Sequence, residues 1–149
     1  MQKIITQVKY QPKLASQIKV AAYARVSSGK DAMLHSLSAQ VSYYSSLIQS
    51  NRNWEYVGVY SDEAISGTKA ARPGLQKLIA DCHEGKIKMV ITKSISRFAR
   101  NTVTLLETVR MLKALGVDIY FEEQNIHTMS SDGELMLTIL ASYAQEESL

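Results

Sequence analysis

The sequence predicts an α/β domain built on a largely parallel sheet, and three observations carry that expectation. Short apolar or aromatic runs alternate with segments of helical period. The helical segments carry their own punctuation, with Pro73 at one start and Gly85 and Gly116 at two ends. Finally, 149 residues at 46% hydrophobic content suffice for one compact core and are too few for two comfortable ones.

In chain order, residues 1–19 have no clear period and carry Lys3, Lys9, Lys13 and Lys19 around Pro12, which reads as a basic N-terminal arm. The domain is expected over 20–149. Its strands are expected at Val20 to Val26, Trp54 to Tyr60, Met89 to Thr92 and Val117 to Phe121, giving a sheet of four to five strands. The first helix carries Leu37, Val41, Tyr44 and Ile48 as a buried stripe, and the second carries Leu75, Leu78, Ile79 and Cys82. A third uses Leu105, Leu106, Val109 and Leu112. A fourth begins at Ser131-Asp132-Gly133-Glu134, with capping-box spacing, and continues through Leu135, Ile139, Leu140 and Tyr143. Its pattern is still running at Leu149, so the natural protein is expected to continue.

Composition narrows the class. The lone Cys82 cannot close an internal disulfide and fits a reducing cytoplasm. No apolar run approaches the ~18 residues of a membrane span, and no secretory signal is recognisable, so a soluble intracellular protein is expected. Net charge is +3, but residues 1–30 hold six basic residues and no acid, while 114–149 hold seven acids and no lysine or arginine. His35, His83 and His127 are scattered and lack ligand spacing.

Ligands of open parallel sheets gather beyond the carboxyl ends of the strands. Ser27 and Ser28, Asp62 and Glu63, Ser94 to Arg97, and Glu122 to Gln124 all fall there. Arg25 precedes Ser27 by two strand positions and shares its face, and Arg97 and Arg100 are expected to share a helix face and its anion-attracting N-terminus. A serine among arginines, with no histidine base, suits attack on a phosphodiester better than on a carbonyl.

The strings Tyr23-Ala24-Arg25-Val26-Ser27, Ser36-Leu37-Ser38-Ala39-Gln40, Tyr60-Ser61-Asp62-Glu63-Ala64-Ile65-Ser66-Gly67, Arg72-Pro73-Gly74-Leu75 and Ser96-Arg97-Phe98-Ala99-Arg100 together resemble the serine recombinase family. The match continues through Asp132-Gly133-Glu134 to Ala144-Gln145-Glu146-Glu147. The resemblance implies a resolvase-like three-layer sandwich with helices on both faces of the sheet. It implies that Ser27 attacks DNA and becomes linked to the 5′ phosphate, and that dimers assemble to a tetramer on DNA, without metal or nucleotide cofactor. Carried residue by residue, Arg25, Arg72, Arg97 and Arg100 match the family's phosphate-binding and activating arginines, and Gln40 and Asp62 its other polar site positions. Small resolvases commonly have aspartate where Ser96 stands; the large transposon and phage integrase branch often has serine, which favours that branch. The acidic, apolar last helix is then an assembly surface.

Two rival classes differ in what they need. A metal-dependent phosphoesterase would use Asp62, Glu63 and Glu122 or Glu123 to hold magnesium. A non-catalytic nucleotide-binding or assembly module would need a phosphate loop, and Ser28-Gly29-Lys30 lacks that spacing.

Overall fold

A computed structural model describes residues 17–27, 30–64, 72–99 and 101–147, with the side chains of 27, 30–35, 64 and 144–147 outside the description. The elements in order are β1 (Ile18–Ser27), α1 (Lys30–Gln49), β2 (Trp54–Ala64), α2 (Pro73–His83), β3 (Met89–Thr92), α3 (Ile95–Phe98), α4 (Thr102–Ala114), β4 (Asp118–Phe121), β5 (Ile126–His127) and α5 (Ser131–Glu147). The five strands form one sheet in the order β2-β1-β3-β4-β5. All pairs are parallel except β4 with β5.

Alternation along β1 divides the core. Ala21 and Tyr23 face a large cluster with Leu78, Cys82, Phe98, Val109 and Leu112, so α2, α4 and part of α5 cover that side. Val20 and Ala22 face a smaller cluster with Tyr44 and Ile48 of α1. The result is the three-layer sandwich that the resemblance implies. Cys82 is buried as expected, and burial pushes its thiol up to about 12, which keeps it an inert hydrophobe.

Several boundaries differ from the sequence reading. β1 starts at Ile18, inside the expected arm, and β2 runs on to Ala64 because it pairs with β1 as far as Ser27. Asp62 and Glu63 are therefore strand residues. In α1, Val41 is 36% exposed, and among the described side chains only Tyr44, Leu47 and Ile48 join the core, because the second half of the helix lies over the sheet. α5 is capped one residue earlier than expected: Ser130 Oγ accepts from Gly133 N at 3.0 Å. Its buried face uses Met136, Leu137 and Leu140, leaving Leu135, Ile139 and Tyr143 at 60%, 47% and 55% exposure. α2 keeps its punctuation, with Pro73 in the first turn and Gly85 at φ +79°, a left-handed conformation that glycine adopts without strain.

Candidate active site

The carboxyl end of β1 gathers the polar residues. Tyr23 is buried there, and its hydroxyl donates to Asp62 Oδ2 at 2.7 Å. Arg72, which immediately precedes α2, lies over the same ring with its guanidinium carbon 5.4 Å from the centroid. Its Nη2 donates to Tyr23 Oη at 3.0 Å and to the main-chain carbonyl of Arg97 at 3.1 Å. Burial, followed by the Asp62 hydrogen bond, holds the Tyr23 hydroxyl above its ordinary range, so it stays protonated and can donate and accept at once. Arg72 Nε is buried and has no hydrogen-bond partner among the described residues.

Asp62 has a structural task. Oδ1 accepts from Gly74 N at 2.7 Å and Oδ2 from Leu75 N at 2.9 Å, so a strand residue caps the N-terminus of α2. Asp62 also stands opposite Arg25 in the β1–β2 register. Its oxygens are committed to Tyr23, Gly74 and Leu75.

Arg97 is exposed on α3, and its Nη1 donates to the carbonyl of Arg25 at 3.0 Å. Of the helix face expected to be shared by Arg97 and Arg100, Arg100 lies outside the described residues. α3 is a single turn that stops at extended Ala99, and α4 restarts behind Asn101, whose Oδ1 accepts from Thr104 N at 3.0 Å. A one-turn helix also offers no useful dipole for an anion. Ser96 is exposed, with its Oγ 3.2 Å from Ser94 Oγ. Ser27 ends β1 opposite Ala64; its side chain, and all of Ser28 and Arg100, lie outside the described residues.

On the α1 side of the sheet a cleft of about 580 Å³ is lined by Ser36, Gln40, Tyr43, Lys93, Arg97 and Glu122, among others. Gln40 Nε2 donates to Ser36 Oγ at 3.1 Å. Arg72 thus approaches the end of β1 from one face and the Gln40 cleft opens on the other, with Arg97 reaching both. Among the described residues neither Arg72 nor Arg97 has a carboxylate within ion-pair distance, so their charges are held by neutral acceptors. Two of the four acids that a metal centre would use are occupied otherwise: Asp62 caps α2, and Glu122 accepts from Tyr43 and Tyr44. No group of three or more metal-ligating side chains converges among the described residues.

Residues 20–149 match the family described as Resolvase, N terminal domain. The chain belongs to the resolvase family. A resolvase/recombinase of Pseudomonas putida is 28% identical over 89% of this chain and 66% of its own length. The Transposon Tn552 DNA-invertase BinR of Staphylococcus aureus is 33% identical over 84% of this chain and 59% of its own. Among solved structures, a resolvase family site-specific recombinase from Streptococcus pneumoniae superposes with a TM-score of 0.72 at 31% identity, covering 89% of each chain. The N-terminal catalytic domain of TP901-1 integrase does so with 0.62 at 28% identity, covering 87% of this chain and 96% of its own. The chain spans 66% of the first of these relatives and 64% of Transposon Tn3 resolvase from Escherichia coli.

Within this resolvase domain, the strand-end pattern set Asp62 and Arg97 at one sheet edge beside the strand of Arg25, and the fold places them there; Arg72 and Gln40, which only the resemblance joined to them, lie near that edge on opposite faces. Sequence reasoning missed Tyr23, Lys93 and the pairing of Tyr43 and Tyr44 with Glu122. For Tyr23 a signal existed: a tyrosine on a strand of small apolar residues must find a partner for its hydroxyl. For Glu122 none did, because its partners lie 78 and 79 positions away. Of the histidines, His127 contacts Asp118 at 2.6 Å and stacks on Tyr120, which is a packing role. No helix among the described residues is long and apolar enough to cross a membrane.

Proposed function

We propose that this resolvase domain is the catalytic domain of a site-specific serine recombinase, cutting and rejoining DNA through a covalent 5′-phosphoserine at Ser27. The Ser27 Oγ–phosphorus bond forms as the phosphorus–O3′ bond breaks. The serine proton leaves and the departing 3′ oxygen gains one. Rejoining runs the same exchange backwards, so no net hydrolysis occurs and no metal or nucleotide is needed. The observation that carries the reading is the pair Arg72 and Arg97, held by neutral acceptors at the end of the strand that bears Ser27.

In this reading Arg25 and Arg97 serve the non-bridging oxygens, Arg72 positions the phosphate, and Arg100 activates the serine or assists the leaving group. Gln40 supplies a neutral donor, Asp62 fixes Tyr23 and the start of α2 behind Arg72, and Ser96 takes the place of a carboxylate. The last assignment favours the large transposon and phage integrase branch. Dimers assembling to a tetramer on crossover-site DNA, in the cytoplasm of a bacterial host, complete the proposal. The exposed apolar row of α5 supports the assembly part.

The test traps the full-length protein on a nicked crossover site and maps the modified residue. A phosphoserine at position 27 is expected, lost in Ser27→Ala, kept in Ser28→Ala and insensitive to chelator. Removing a single arginine is expected to slow adduct formation by roughly 10²–10³-fold, the usual cost of one preorganised donor. An adduct on another residue, or metal-dependent hydrolysis, sinks the reading.

A further inference from the structure

We propose that Glu122 is a positioning residue of this site: by holding Tyr43 and Tyr44 together it sets the rotation and height of α1, and hence where Gln40 stands relative to Arg97. The proposal rests on the recombinase reading above.

Tyr43 and Tyr44 are neighbours on α1, and each hydroxyl donates to a different oxygen of the Glu122 carboxylate, both at 2.7 Å. Neighbouring helical residues point about 100° apart, so one carboxylate can receive both only from between them. A single bond would leave the helix free to roll about it; two opposed bonds remove that freedom. The Tyr44 and Ile48 contacts beneath hold α1 on the sheet but are non-directional. Tyr43 is 53% exposed, so little burial holds it, and its ring meets Tyr44 edge-on at 4.9 Å. Burial, then the bond to Glu122, holds the Tyr44 hydroxyl above its ordinary range and keeps it a donor.

The two ends of this clamp are the two walls of the cleft. Ser36, Gln40 and Tyr44 follow at four-residue steps and share one row of α1, so a roll that displaces Tyr44 displaces Gln40 with it. On the other wall, Glu122 N donates to Thr92 O at 2.9 Å and Glu123 N to Lys93 O at 2.8 Å. Glu122 is therefore tied to the end of β3, three residues before the start of the one-turn helix that carries Arg97. The clamp joins the row bearing Gln40 to the strand end bearing Arg97.

The experiment uses the full-length protein and the nicked DNA of its own crossover site, reading the single-turnover rate of the Ser27–DNA adduct. Glu122→Ala, and the pair Tyr43→Phe with Tyr44→Phe, are expected to slow that step on the order of ten- to a hundredfold, the cost of a misplaced group, with DNA affinity unchanged. Glu122→Gln keeps one acceptor oxygen and should fall between. The phenylalanine pair retains both rings and so folds even if Glu122→Ala does not. The decisive reading is a cycle with Gln40→Ala: if Glu122 acts through Gln40, adding Glu122→Ala to Gln40→Ala slows the step no more than about twofold further. A fully additive loss, or a wild-type rate in the phenylalanine pair, overturns the proposal alone. A wild-type protein that forms no Ser27 adduct overturns the recombinase reading and this proposal with it.

Discussion

Gly74 sits where a side chain has no room. A Cβ there would lie 2.1 Å from the carbonyl oxygen of Ser61 and 2.8 Å from its carbon, both backbone atoms of β2 that cannot swing aside. This closeness lets Gly74 N and Leu75 N reach Asp62 and brings Arg72 over Tyr23. Gly74→Ala is expected to destabilise the domain by at least ~1–3 kcal/mol, the usual range for overpacking, measured by urea unfolding. Gly133 has the same constraint, 2.2 Å from the carbonyl of His127, at the start of α5. Both glycines lie in strings that carry the family resemblance. Their reason was not legible in sequence, because the atoms they must clear belong to other elements.

At the scale of elements, one face of β2 fastens α2 at both ends. Tyr60 and Asp62 are two residues apart on that strand: Asp62 takes the first N–H groups of α2, while the Tyr60 hydroxyl donates to Asp81 Oδ2 at 2.5 Å near its last turn. The Tyr60 bond, aided by Lys77 and Lys86 against the opposing effect of burial, holds the Asp81 carboxyl below its ordinary value. Because the folded carboxyl is the stronger acid, its stabilisation is complete above the unfolded pKa of 3.8 and is lost as pH falls through the lower folded value. Asp81→Asn should therefore be less stable than wild type at pH 7, with the gap closing in acid, as followed by denaturant melts across that range. The sequence did predict α2 from Pro73 and Gly85, because helix punctuation is local. It ended β2 at Tyr60, because the residues beyond are polar; pairing with β1 and service to α2 are what extend the strand through Asp62.

Across the whole molecule, a buried tyrosine lies on each side of the sheet, Tyr23 of β1 in the larger core and Tyr44 of α1 in the smaller. Burial, then a carboxylate partner, raises both hydroxyls above 10, so above that pH the unfolded chain loses protons that the folded chain keeps. Stability should fall with rising pH there by ~1.4 kcal/mol per unit for each tyrosine, and Tyr44→Phe should flatten the decline in alkaline unfolding titrations. The alternation of strands and helices, and the convergence of polar residues at the strand ends, were legible from periodicity. What was not legible is which side of α5 faces in: Met136 and Leu137 are buried while Leu135 and Ile139 are not, a choice made by the contact with α4 and the first core. The same holds for the tethers of the arginines, which join Arg72 to the Arg97 carbonyl and Arg97 to the Arg25 carbonyl. A guanidinium has five N–H groups, and these tethers use only one nitrogen of each. In the proposed reading, cargo is gripped with terminal guanidinium donors that hold nothing else among the described residues, and is let go without any strand end having been unfastened, so that a join made in one direction leaves the machinery unchanged for the return trip.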